Sequence, residues 1–180
     1  MDQISSLIED NLHFLAQARD LLTTLSDQEF EARPGIAMSP VGSHLRHCLD
    51  FYSSFLDGVD VGVIDYDARH RDPRLETERA HALAAVRTLM NRLNQLVGQL
   101  GNKTLSVAMD RMGWEDEEGA WADTTVAREL QFLRSHTVHH YALMAAVLRL
   151  LGLDPGPDFG VAPATLNYRR SLVEKAPAGD

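Results

Sequence analysis

The chain has 180 residues, of which 44% are hydrophobic, 7% aromatic and 24% charged, and its formal net charge is −9. These figures fit one domain with a sizeable core and exclude disordered, collagen-like and low-complexity sequence. The single cysteine, Cys48, excludes an internal disulfide and cysteine-rich zinc modules, so any metal or acid–base site must be built from carboxylates and the eight histidines.

An acidic chain with scattered arginines is a poor polyanion ligand, so no nucleic-acid partner is expected. No apolar run reaches the roughly 20 residues that span a membrane. Met1-Asp2-Gln3-Ile4 lacks the basic-then-apolar order of a signal peptide. The expected location is cytoplasmic, which suits an unpaired thiol.

Residues 2–25 predict an amphipathic helix, with Ile4, Ile8, Leu12, Leu15 and Leu22 at helical period and Leu7, Phe14 and Leu21 widening the stripe. Ser26-Asp27 and Arg33-Pro34-Gly35 mark a loop. A second helix is expected from Ser39 as N-cap, with Pro40 in the first turn, to Gly58. Its seam is Val41, Leu45, Cys48, Tyr52 and Phe55, which makes Cys48 a small buried hydrophobe. Residues 59–72 are expected to form a loop with alternating charge.

Asp72-Pro73 restarts a third helix, expected to run to about Leu100, with Leu83, Val86, Met90, Leu93 and Val97 facing inward and Gly101-Asn102 as its stop. Leu105, Val107 and Met109 then alternate with polar residues, and Trp121 can open a return strand, so a small β-hairpin is expected between helices 3 and 4. The acidic run Glu115-Asp116-Glu117-Glu118 reads as a solvated loop. Asp123-Thr124-Thr125 caps a fourth helix over 125–151, ended by Gly152 and Pro155. Residues 153–180 form a Pro- and Gly-rich tail with a short helix near 163–174. The expected architecture is a single all-α domain over 1–180, a four-helix bundle.

Three histidines fall within Ser135-His136-Thr137-Val138-His139-His140-Tyr141. Helical i and i+4 side chains point the same way, about 6 Å apart, so His136 and His140 can share one metal ion. The seam Val126, Leu130, Leu133, Thr137, His140, Met144, Val147 and Leu151 places His140 on the buried line and His136 roughly 40° aside, while His139 lies roughly 100° away. Catalytic metals usually take three protein ligands. The second helix offers His44 or His47 as the third, and periodicity alone prefers His44, the nearer to its apolar stripe. Asp50 can accept the second ring N–H of His47 or face solvent. His13, His70 and His81 read as surface residues. Glu129, two turns before His136 and about 10 Å away, reads as a capping-turn acid, with a base across the pocket as its alternative.

A second-helix His-x-x-Asp, His47 to Asp50, paired with a last-helix His-x-x-His-His, His136 to His140, resembles the DinB/YfiT-like superfamily. So do Gly42-Ser43-His44-Leu45-Arg46-His47, Asp65-Tyr66-Asp67-Ala68-Arg69 and Glu129-Leu130-Gln131-Phe132. The resemblance covers residues 1–151. It implies a DinB/YfiT-like four-helix bundle with a divalent metal held by three histidines, here His47, His136 and His140, with His44 kept as the alternative to His47. A polar residue that many members carry three positions after the last ligand is Leu143 here. The resemblance further implies a metal-dependent enzyme acting on a small molecule, specifically a transferase that joins a low-molecular-weight thiol to an electrophile, and a homodimer. The alternatives are a metal-dependent hydrolase and a noncatalytic metal-binding or stress-response bundle. Zinc and nickel lead among the candidate ions, with iron and manganese behind; imidazole accepts all four, so ligand type does not choose among them.

Overall fold

The computed structural model describes residues 2–35, 38–109 and 121–175. The first helix, α1 (Gln3–Thr24), is capped by Asp2, whose side chain accepts from Ser5 N. The expected stripe is buried along it, from Ile4 and Ile8 to Leu22. The loop expected next contains a short helix, α2 (Asp27–Glu31), closed by a reciprocal capping box between Ser26 and Glu29.

The second long helix, α3 (Val41–Gly58), begins one residue later than expected. Pro40 occupies the N-cap and Ser39 does not cap the helix. Three residues of the expected charged loop form a strand, β1 (Val63–Asp65). The predicted third helix is split into α4 (Arg74–Thr77) and α5 (Arg79–Gln95) by Glu78, whose backbone is extended at φ −112° and ψ 91°.

The expected hairpin is present as β2 (Thr104–Ala108) and β3 (Ala122–Thr125), antiparallel with Thr104 opposite Thr125. The strand β1 adds to it in parallel, with Val63 opposite Ser106, giving the order β1-β2-β3. The acidic run Glu115–Glu118 lies outside the described residues. The fourth long helix, α6 (Val126–Leu150), starts at Thr125, whose hydroxyl accepts from Arg128 N. Gly152, at φ +78°, ends it. The tail then packs Phe159 face to face on Tyr141, centroids 4.9 Å apart, before α7 (Pro163–Lys175).

Helices α1 and α3 each pack on both α5 and α6. The four apolar stripes meet in one core, with Ile8, Phe14, Leu15, Leu45, Phe55, Val86, Leu93, Leu130 and Met144 fully buried. A chain of buried hydrogen bonds crosses that core. Asn11 on α1 donates to Leu7 O at 2.8 Å and to Leu130 O at 3.0 Å. Tyr52 on α3 donates to Asn11 Oδ1 at 2.8 Å, and Thr137 on α6 donates to the Tyr52 hydroxyl at 3.3 Å. Both Asn11 amide donors and its carbonyl are therefore satisfied, as buried polar groups require.

Tyr52→Phe strands the Asn11 carbonyl and removes the Thr137 acceptor. It should cost about 1–3 kcal/mol and lower Tm by several degrees, whereas Tyr168→Phe, the same deletion at an exposed tyrosine, should stay within about 0.5 kcal/mol. Thermal unfolding followed by circular dichroism measures both.

Candidate metal centre

Because α3 packs along α6, His47 meets His136 and His140, and each of the three is half-buried. One ring nitrogen from each lies within 4.8 Å of the other two. Nε2 of His47 stands 3.1 Å from Nε2 of His136, and the three ring centroids are 4.6–4.9 Å apart. His44 is outside this group. It touches the group through His140, with the two Nδ1 atoms 3.2 Å apart.

Burial, then the nearby charges of His47, His139 and Arg69, pushes His136 down to about 4. Burial and then His136, with the other neighbouring imidazoles behind, pushes His140 down to about 3. Burial first and His139 second also lower His44. The His44, His136 and His140 rings are neutral at pH 7, and a neutral imidazole keeps one lone pair. Three converging imidazoles, with no carboxylate among them in the described residues, form a donor set that fits a divalent cation.

An aromatic wall backs the cluster. Phe51 lies one turn beyond His47 on α3, with its centroid 5.0 Å from that ring and 4.4 Å from His136. Phe132 lies one turn before His136 on α6 and stacks on it at 5.5 Å and 22°. Tyr66, just after β1, stacks on Phe51 at 4.9 Å. The Arg69 guanidinium lies 4.5 Å from the Phe51 centroid and also donates to Tyr66 O. His136 Nδ1 is buried and has no hydrogen-bond partner among the described residues.

The wall was not anticipated from sequence, although the i,i+4 spacings His47–Phe51 and Phe132–His136 were there to read. The surroundings of Glu129 were likewise not anticipated. It lies in the first turn of α6, as a capping-turn acid does, but it is buried there, accepting from Tyr66 Oη at 2.9 Å and from Thr124 Oγ1 at 2.7 Å. Burial, and Glu129 after it, raises the Tyr66 phenol well above its ordinary range, so Tyr66 is the proton donor of that pair.

Other expectations shift in detail. The buried line of α6 runs through Thr137, Tyr141 and Met144, so His140 sits at its edge rather than on it. Asp50 is buried and pairs with Arg46 at 2.8 Å instead of serving His47 or facing solvent. His81, expected at the surface, is half-buried, with Nε2 3.0 Å from Asp72 Oδ2. His13 and His70 are exposed as expected; His139 is exposed too and meets the His140 ring edge-on, at 5.2 Å. Cys48 is packing, and burial pushes its thiol far up.

A cavity of about 470 Å³ lies between α3 and α5, lined by Asp50, Arg69, Asp72, His81 and Arg92 among others, and none of the three clustered histidines lines it. Its acids pair within the protein: Asp50 with Arg46, Asp72 with Arg74 and His81, Asp57 with Arg92.

The family model of the DinB superfamily matches residues 13–144. Among solved structures, the chain resembles YfiT from Bacillus subtilis, described as a probable metal-dependent hydrolase with an unusual four-helix bundle topology. The TM-score is 0.63 at 15% identity, over 84% of this chain and 89% of that one, which is a likeness of fold. Among curated proteins, FK506-binding protein 5 of Rhizopus delemar is 29% identical over 110 residues, 60% of this chain and 28% of that protein. The chain thus corresponds to little more than a quarter of that relative's length. With three converging histidines in a four-helix bundle and a family match across most of its length, the chain belongs to the DinB superfamily.

Proposed function

We propose that the protein is a metal-dependent enzyme whose divalent ion, zinc or nickel first, is held by His47, His136 and His140. The observation that carries this reading is the approach of three imidazole nitrogens to within 4.8 Å of one another across two helices. When bound, such an ion supplies Lewis acidity, bringing the pKa of a water ligand to about 7 and favouring a thiol as its thiolate. The histidines leave the charge of the ion uncompensated. Phe51, Phe132 and Tyr66 exclude water from one side of the site and hold the His136 ring. The Arg69 guanidinium adds positive charge beyond Phe51, where it repels a proton from His136.

The nucleophile of this proposal is a low-molecular-weight thiol, attacking a small electrophile. Water in the same place would make the protein a hydrolase, the activity named for the Bacillus subtilis neighbour. The same reading takes the protein as a cytoplasmic homodimer. Among the described residues no helix is long and apolar enough to cross a membrane.

Untagged protein purified in metal-replete buffer should hold about one divalent ion per chain by elemental analysis, falling below about 0.2 in the His136→Ala, His140→Ala double variant. The loaded protein should consume a chromogenic electrophile only when a low-molecular-weight thiol is present. Turnover without thiol would assign water as the nucleophile, and no turnover with metal bound would leave a noncatalytic bundle.

The histidines also set a pH dependence. An imidazole held below its ordinary 6.5 takes up protons in the unfolded chain before it does so in the folded one. Stability of the metal-free protein is therefore complete above pH 6.5 and falls as pH drops toward about 4 for His136 and about 3 for His140. Tm measured across that range should decline more steeply for the native chain than for the His136→Gln, His140→Gln variant.

A further inference from the structure

We infer that His44 is a positioning residue that fixes the tautomer and orientation of His140 for metal binding. The inference rests on the proposed metal centre and concerns a histidine outside it. His44 and His47 lie one turn apart on α3, so both face α6, yet they meet different histidines. His47 meets His136 through Nε2 at 3.1 Å, and His44 meets His140 through Nδ1 at 3.2 Å.

A hydrogen bond between two Nδ1 atoms holds one proton. A neutral imidazole carries its proton on one nitrogen and its lone pair on the other. If His44 were the donor, the lone pair of His140 would be spent on that bond and its own proton would stand on Nε2, leaving no nitrogen for a metal. If His140 is the donor, its Nδ1 proton goes to His44 and Nε2 keeps a lone pair. Only the second arrangement makes His140 a ligand. It places the His44 proton on its own Nε2, on a ring that is half-buried rather than enclosed.

The bond thus selects the ligating tautomer of His140 and also restrains its ring, as a carboxylate or carbonyl behind a metal-bound histidine does. The restraint matters most at this position. His136 is gripped by Phe51 and Phe132, whereas His140 sits at the edge of the buried line of α6, with exposed His139 against it.

The test measures zinc affinity by chelator competition, and the absorption spectrum of the cobalt(II) form, for wild type, His44→Ala and His44→Asn. The Asn Oδ1 stands close to where His Nδ1 stood and accepts the same N–H. His44→Ala should weaken zinc binding by about 10- to 100-fold, and His44→Asn should recover most of that loss. All three cobalt forms at saturation should share one ligand-field spectrum, because the ligand set is unchanged. Circular dichroism confirms that each variant is folded. Equal zinc affinity in wild type and His44→Ala would overturn the inference while leaving the metal centre intact. A cobalt spectrum that changes in both variants, with no rescue by Asn, would overturn it by making His44 itself a ligand. Failure of wild type to take up either ion would overturn both the inference and the metal centre beneath it.

Discussion

The register of α3 against α6 is the constraint on which the site depends. A metal centre built from two helices tolerates little sliding, since one helical residue advances about 1.5 Å. Here the register is held inside the core by Asn11, Tyr52 and Thr137, each hydrogen-bonded to the next. Thr137 follows His136 directly, and Tyr52 follows Phe51, so the buried polar chain lies one residue from the groups that shape the site. Polar groups buried at this depth are costly unless their partners are in place. A helix pair slipped by a turn would strand all three, and that penalty opposes any arrangement in which His47 misses His136 and His140.

The small sheet serves the same end. Its three short strands are supported by packing of β1 on α3 and of β3 on α6. It carries Tyr66 out of β1, where Tyr66 N donates to Ala108 O at 2.9 Å, and it carries Thr124 in β3. These two hydroxyls are the partners of buried Glu129 in the first turn of α6. The sheet is thereby tied to the helix that bears His136 and His140. The Tyr66 ring, fixed at its hydroxyl, supports Phe51, which in turn contacts His47 and His136. The site is therefore asymmetric: Phe51 and Phe132 flank His136, whereas the imidazoles of His44 and His139 flank His140.

The four long helices were legible in the sequence because their apolar stripes repeat over four to seven turns. The strand β1 was not, since three residues are too few to show a period. The α4–α5 break was hidden because Glu78 leaves the apolar spacing on either side intact. On α6 the spacing reads equally well through His140 or Tyr141, and packing chose the tyrosine, which donates to Phe14 O at 3.1 Å. The His136 and His140 pair was visible from i,i+4 spacing. The choice between His44 and His47 was not. Helix α3 packs on both α5 and α6, so the centre of its apolar stripe averages two interfaces and says little about the flank that faces α6. The family resemblance pointed to His47, and that ring joins the cluster. The role of Glu129 was out of reach, because its partner Tyr66 lies 63 residues away in sequence.

X-ray absorption spectroscopy of the zinc-loaded protein addresses the centre itself. Three imidazole nitrogens at about 2.0–2.1 Å, with one or two light-atom ligands completing the shell, are expected. A shell with fewer than three imidazoles, or with a sulfur ligand contributed by Cys48, would contradict a centre built from His47, His136 and His140.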